Sequence, residues 1–347
     1  MLQRSAWLLS ILFAWSACAL AEPLAPLSIG SAERLLVFAP HPDDEVLGAG
    51  GIAQRVLAQG GSVRIVIATA GDGFVEAVQR EARYARPSVH DYLRYGATRL
   101  TEARHAVRML GNGRVQLDLL GFPDGGLQPL LHAHWQRERP ERSNTTGVSA
   151  VPYGEAEFPN RGYNGAELAA ELAHELRQIR PTLVALPDPL DSHPDHSALG
   201  LFALMALRDW LHERGHGEET PNAPRWPRLL TYLVHWPGNW PTGANAAKPL
   251  DLRATPLPLP ADWPRRNRQH PCLSLQPREV EIKQAALGQY QTQQRAMGPF
   301  LAAFVRSTEC VSVLTERDVE FIWEGLPRRR AVLSQYVGNA ADASAPH

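Results

Sequence analysis

The most constraining stretch of the chain is a handover from strand to helix. Leu35-Leu36-Val37-Phe38 is an unbroken apolar run, the pattern of a strand buried on both faces of a parallel sheet. It leads straight into Ala39-Pro40-His41-Pro42-Asp43-Asp44-Glu45, and Ile52 to Gln59 reads as a short helix. One imidazole and three carboxylates therefore sit at the edge where an open α/β sheet binds ligands. Neutral imidazole and carboxylate are zinc ligands, and a catalytic zinc takes three protein ligands and keeps one position open. Asp43 and Asp44 are adjacent, so in extended backbone they point to opposite sides. One can hold an ion while the other faces a water as general base, and Pro42 stiffens the turn that presents them. The cluster is one ligand short, and that ligand must come from elsewhere in the chain.

A second handover supplies the candidate. Thr182-Leu183-Val184-Ala185-Leu186-Pro187 is again apolar, Asp191-Ser192-His193-Pro194-Asp195-His196 follows, and Ser197 to Arg214 reads as a helix. His193 and His196 are three apart, so on a first helical turn both rings can face one cavity. Alone, either motif is also compatible with a polar turn or with acidic residues at a helix start, which the helix dipole favours. Two such motifs, each behind its own buried strand, make a shared metal site the stronger reading.

Pro40-His41-Pro42-Asp43-Asp44-Glu45 together with His193-Pro194-Asp195-His196 resembles the PIG-L/LmbE family of zinc-dependent de-N-acetylases. Leu120-Gly121-Phe122-Pro123-Asp124-Gly125-Gly126-Leu127 and the helical Arg99/Glu102 pair followed by Leu110-Gly111 resemble further segments of that family. The likeness spans about residues 33 to 215. It implies a Rossmann-like α/β fold, a mostly parallel sheet flanked by helices, with a C-terminal loop-rich extension and one deacetylase domain over residues 33–325. It also implies that His41, Asp44 and His196 bind Zn2+ or another divalent metal, and that Asp43 is the base. A protonated His193 stabilises the oxyanion, and Asp195 orients a histidine ring from behind. Asp124 would contact an N-acetylated amino-sugar substrate, although an Asp before Gly also suits a plain turn. Asn144, Tyr153 and His235 are further candidates for substrate contact. Two other functions fit the same residues: amide hydrolysis on a non-sugar N-acyl substrate, and a silent glycan-binding module. The presence of Asp43 argues against the module, because a structural metal site needs no base.

Composition bounds the rest. The 347 residues suffice for a sizeable core. The net charge of -1 gives no footprint for nucleic acid. Arg4, the apolar stretch Ala6 to Leu20 and Ala19-Leu20-Ala21 before Glu22 read as an export signal over residues 1–21. The apolar part is short for a bilayer span, so no stable membrane span is expected after cleavage in a periplasmic or secreted protein. Cys18 is a poor lipidation site, with Trp15 where an aliphatic residue is usual. Cleavage leaves Cys272 and Cys310, which in an exported protein are expected to pair.

Between the motifs, Ser62 to Thr69, with Val63, Ile65, Val66 and Ile67, marks a second strand and Gln116 to Gly121 a third. Residues 75–93 read as an irregular rim over the site, and Arg94 to Leu110 as a helix on which Arg99 and Glu102 form a structural i,i+3 pair. Residues 128–164 read as one long loop, which in a compact domain is usually functional. Gly165 to Ile179 reads as an amphipathic helix, Leu229 to Trp236 as a strand and residues 277–295 as one helix. Residues 237–275 read as a wrapping loop whose Trp240 and Trp263 offer faces to sugars. Residues 338–347 read as a disordered tail.

Overall fold

The computed structural model describes residues 25–215, 226–238, 240–242, 252–257, 259–260, 262–263, 268–320 and 322. The candidate leader with Cys18, and the tail over 338–347, lie outside the described residues. The elements run β1 (Arg34–Ala39), α1 (Asp44–Ala58), β2 (Ser62–Thr69), α2 (Val75–Ala82), α3 (Val89–Gly111), β3 (Gln116–Phe122) and α4 (Leu127–His132). They continue with α5 (Gly165–Ile179), β4 (Leu183–Pro187), α6 (Pro194–Gly215), β5 (Arg228–Tyr232) and β6 (Cys272–Ser274). Two helices, here α7 (Pro277–Leu287) and α8 (Gln291–Ala302), and two strands, β7 (Thr308–Cys310) and β8 (Ser312–Leu314), close the chain.

The sheet has six strands in the order β3-β2-β1-β4-β5-β8. β1 to β5 are parallel and β8 runs antiparallel along β5. The apolar runs read from sequence are these central strands: β1 is buried from Leu35 to Ala39 and β4 throughout. Chain order reverses between β1 and β4, which pair as Leu35↔Leu183 and Val37↔Ala185. A crevice opens at the carboxyl ends of strands where connections depart to opposite sides. Here those connections are the two motif loops, so topology alone brings residues 40–43 beside residues 188–193. α1 packs on α3 and α7, and α6 on α4 and α5, which covers both faces. Gly48 lets α1 lie close to the sheet, since a Cβ there would stand 2.2 Å from the Tyr232 ring. The Tyr232 hydroxyl donates to the Phe38 carbonyl at 2.6 Å, next to the first motif.

Several sequence expectations need correction. Residues 75–93 are irregular only over 83–88: α2 occupies Val75–Ala82, and α3 starts at Val89 behind a Ser88–Asp91 capping box. The long loop over 128–164 is anchored by α4, whose Leu127, Leu130 and Leu131 are buried. The single helix over 277–295 is two, parted at Gly288 to Tyr290. β5 stops at Tyr232, short of Trp236. Trp263 is buried against His270, and Trp240 packs edge-on to Phe304 at 5.6 Å. Cys272 and Cys310 form a disulfide across the paired strands β6 and β7. Among the described residues no helix is long and apolar enough to cross a membrane.

Candidate metal centre and active site

The first motif turns sharply into α1. Asp43 takes φ 126° and ψ -30°, a region a side-chain-bearing residue enters only under constraint, at a cost of about 1–3 kcal/mol. The constraint is visible. The Asp43 amide donates to Glu45 Oε2 at 3.0 Å, and its carbonyl accepts from Val46 and Leu47 at 3.0 Å. Arg99 Nη2 donates to the neighbouring Pro42 carbonyl at 2.6 Å. Asp43 stands at the N-cap, yet its side chain makes no capping bond. The carboxylate instead faces the cavity, with Arg99 Nη2 3.3 Å from its Oδ2. Burial, with Asp44 and Glu45 beside it, outweighs the pull of Arg99 and His41 and leaves this carboxyl raised to about 8. Glu45 serves the turn and also accepts from the Tyr290 hydroxyl.

Asp44 is the meeting point of the two motifs. Its Oδ2 lies 3.0 Å from His41 Nδ1 and 3.1 Å from His196 Nε2. Burial would push Asp44 up, but the two imidazoles hold it well below the ordinary carboxylate range. The His196 ring is fully buried, and neither of its nitrogens makes a hydrogen bond. Buried imidazole nitrogens are normally satisfied. Ligands about 2.0–2.2 Å from a tetrahedral ion stand about 3.3–3.6 Å apart, close to the Asp44 separations. An orphaned buried nitrogen beside a carboxylate at that spacing fits a divalent ion. The charge balance fits as well. Burial opposes a charged His196, but Asp44 and Asp191 outweigh it and raise the ring to about 9; His41 is raised well above its ordinary value against the same opposition, chiefly by Asp124. A cluster that stabilises positive charge on two rings also favours a cation.

The second motif is fastened by Asp191. Its Oδ1 accepts from the His193 amide at 2.9 Å, and its Oδ2 accepts from the amides of Val234 and His235 at 2.9 and 3.0 Å. Oδ2 also lies 3.4 Å from His196 Nδ1. Pro194 opens α6, where its missing N–H is no loss. Asp195 is fully buried. It accepts from Gly125 at 2.7 Å and Leu127 at 3.0 Å, and its Oδ2 lies 3.4 Å from His41 Nε2. It thus steadies the His41 ring from behind and ties α6 to the loop after β3.

His193 rings lie 4.9 Å from His41 and 5.0 Å from His196. The sequence reading has His193 protonated. Burial and those two neighbouring rings push it down to about 4, so the site favours the neutral ring. Its Nδ1 accepts from the Asp195 amide at 3.2 Å, which leaves the proton on Nε2. Asp124, expected as a substrate contact, is engaged with the protein here: its Oδ1 lies 3.1 Å from His41 Nε2, and its Oδ2 accepts from Gly73 at 2.6 Å. His235 does reach the cavity, 4.7 Å from His196. Asn144 does not; it stands exposed on a turn away from the cavity lining. Tyr153 is buried behind the site, where it donates to Asp72.

Sequence reasoning misjudged Arg99. It forms no i,i+3 pair with Glu102. Arg99 is buried, donates to Gly71 at 3.0 Å and lines the cavity, while Glu102 accepts from the Thr292 amide and hydroxyl at 2.9 and 2.6 Å. With its amide oxygen turned to meet donors, Gln293 stands 2.9–3.0 Å from three Arg99 nitrogens. The available signal was position, since Arg99 shares the helix face of Ala103 and Ala106. Asp191 was likewise passed over, although an Asp two residues ahead of a motif amide is a common local acceptor. Three overlapping groups could hold an ion: His41/His193/His196, Asp44/His196/His235 and His41/Asp124/Asp195. His196 belongs to two of them.

Known proteins resemble the chain in this part. The GlcNAc-PI de-N-acetylase family, PIG-L, matches residues 36–207. A 1D-myo-inositol 2-acetamido-2-deoxy-alpha-D-glucopyranoside deacetylase of Segniliparus rotundus is 32% identical over 182 residues, 51% of each chain. The corresponding enzyme of Rhodococcus jostii is 31% identical over 171 residues, 48% of this chain and 50% of its own. The chain thus spans about half the length of the curated relatives it matches. Among solved structures, N,N'-diacetylchitobiose deacetylase from Pyrococcus horikoshii aligns over 82% of this chain and 84% of its own, at 19% identity and a TM-score of 0.47. Across residues 36–207 the chain therefore carries a domain of the PIG-L (LmbE-like) de-N-acetylase family.

Proposed function

We propose that the protein is a metal-dependent N-deacetylase acting on an N-acetylglucosamine-type sugar of a glycan or glycolipid outside the cytoplasm. The observation that carries this is the buried Asp44 carboxylate between the His41 and His196 nitrogens, at 3.0 and 3.1 Å, with the Asp43 carboxylate beside it and uncommitted to capping. His41, Asp44 and His196 would hold the ion, with zinc the metal their donor set suits best. When bound, such an ion supplies Lewis acidity: it polarises the amide carbonyl and makes water acidic near neutral pH. Asp43 takes a proton from the attacking water, and Arg99 keeps its carboxylate aimed. His193 donates from Nε2 to the developing oxyanion. As the carbon–nitrogen bond breaks, Asp43 returns the proton to the leaving amine, giving acetate and a free amino sugar. Residues 33–325 act as one unit in this reading, because α8 lines the same cavity as the motif loops. The leader pattern and the Cys272–Cys310 disulfide support export.

The test is metal content with acetate release from N-acetylated amino sugars and chitooligosaccharides. Asp43→Asn is expected to keep one ion per chain and lose about 10²–10⁴-fold in kcat. Full turnover by that variant would remove Asp43 as base. Unchanged turnover after chelation and verified loss of the ion would remove the metal from the chemistry.

A further inference from the structure

The cavity of about 430 Å3 above the His/Asp cluster has a polar floor and a carbon wall. Leu47 of α1, Phe74 and Val75 at the start of α2, and Met297 and Phe300 of α8 line it. Val75 is 36% exposed, and Phe74, Met297 and Phe300 are half-buried. The wall begins one ring from the cluster: Phe300 stacks on His235 at 5.4 Å with 10° between planes, and His235 lies 5.0 Å from His193. The floor's polar groups are largely engaged with one another. Arg99 is held by Asp43 and Gln293, and Asp124 by His41 and the Gly73 amide. Glu76, next to Val75, is the one charged residue of the lining on that side; sugar hydroxyls pressed against the carbon surface itself would lose water and gain no partner there, which is unfavourable. Apolar side chains left open around a polar centre mark the place of an apolar ligand group.

We propose that the substrate carries an apolar chain close to the scissile amide, and that Phe74, Val75, Met297 and Phe300 bind it. The proposal rests on the N-deacetylase reading for its chemistry. The chain can come from either side of the amide: an acyl group longer than acetyl, or an alkyl or lipid group on the sugar. Each methylene fully withdrawn from water strengthens binding about fourfold. A chain lying along one wall keeps part of that, so we expect about tenfold for a six-carbon chain.

Titration calorimetry on the full chain with N-acetylglucosamine, N-hexanoylglucosamine and hexyl N-acetylglucosaminide tests this, with acid release measured in parallel. At least one six-carbon compound should bind about tenfold more tightly than N-acetylglucosamine. The acyl compound leading would put the chain on the carbonyl side, and the glycoside leading would put it on the sugar. Phe300→Ala should reduce the preference to about threefold or less. Val75→Ser, at an exposed position that folding does not depend on, should also reduce it. Equal binding of all three compounds, or a preference untouched by both variants, overturns the proposal. Binding is read without turnover, so absence of acid release from every compound would refute the hydrolase reading while the affinities still decide the wall.

Discussion

The site is assembled from two regions that differ in kind. One is the pair of loops after β1 and β4, residues 40–43 and 188–193, with the first turns of α1 and α6; it lies inside the family-matched stretch and carries the titratable cluster. The other lies beyond residue 207: the end of β5 with His235, then Tyr290 to Phe300. It gives the cavity Met297 and Phe300 of its wall, and a row of contacts to α1 and α3. Tyr290 donates to Glu45, Thr292 to Glu102, and Gln293 meets Arg99. The first region is built from residue types that are seldom buried without a partner. The second adds Met297 and Phe300, types found in any core, with His235 and Gln293 as its polar members. Chemistry and shape are thus separable here, and variants in the two regions should fail differently.

The largest effect is expected in the loops. His196→Ala should lose the ion and, with it, at least about 10³-fold in activity, because the ring supplies an orphaned nitrogen at the point where both motifs meet. One ion per chain in that variant would take His196 out of the ligand set and dissolve the contrast between the regions.

Next comes a change in the C-terminal region that should strike stability and spare chemistry. Lys283 is fully buried, donates to the Leu47 carbonyl at 2.9 Å and pairs with Glu309 at 2.6 Å. Glu309 accepts in turn from the amides of Gly51 and Ile52 within α1, at 2.6 and 2.9 Å. Lys283→Met leaves a buried carboxylate without its cation, a loss of about 3–5 kcal/mol. Denaturant melts should show it, with kcat per folded molecule within about twofold of the parent. A tenfold fall in kcat would mean that the region does more than hold α1 in place.

The same contrast explains what could be read in advance. Strand runs such as Leu35–Phe38 and Leu183–Pro187 are continuous because both sheet faces are covered, so β1 and β4 were legible, and with them the sheet edge that bears His41 and His196. Convergence was an inference from topology, and the β1–β4 pairing is what realises it. Arg99 was misread because a guanidinium on a helix has an obvious local partner in Glu102, and only tertiary packing shows that Thr292 takes that partner first. Phe74, Met297 and Phe300 carry no spacing rule at all. Their role follows from where α2 and α8 end up, a long-range outcome that local pattern does not encode. Asn144 fails for the reverse reason: a polar residue in a long loop looks available, but α4 and Tyr163 fix that loop elsewhere.

The smallest effect lies where the two regions touch. Gln293 contributes an amide oxygen to Arg99, while Arg99 keeps the carbonyls of Pro42 and Gly71 and the Asp43 carboxylate as partners. Gln293→Ala therefore removes one of several restraints on the group that aims Asp43. A hydrogen bond to a charged group contributes about 1.5–3 kcal/mol when it is lost outright, but the remaining partners should absorb most of it. The expected result is a fall in kcat of about threefold, or about 0.7 kcal/mol, with ion content unchanged. A drop confined to KM would make Gln293 a substrate contact in place of a support for Arg99. Loss of the ion would show that the C-terminal region reaches into the metal cluster itself, and the division of labour between the two regions would have to be redrawn.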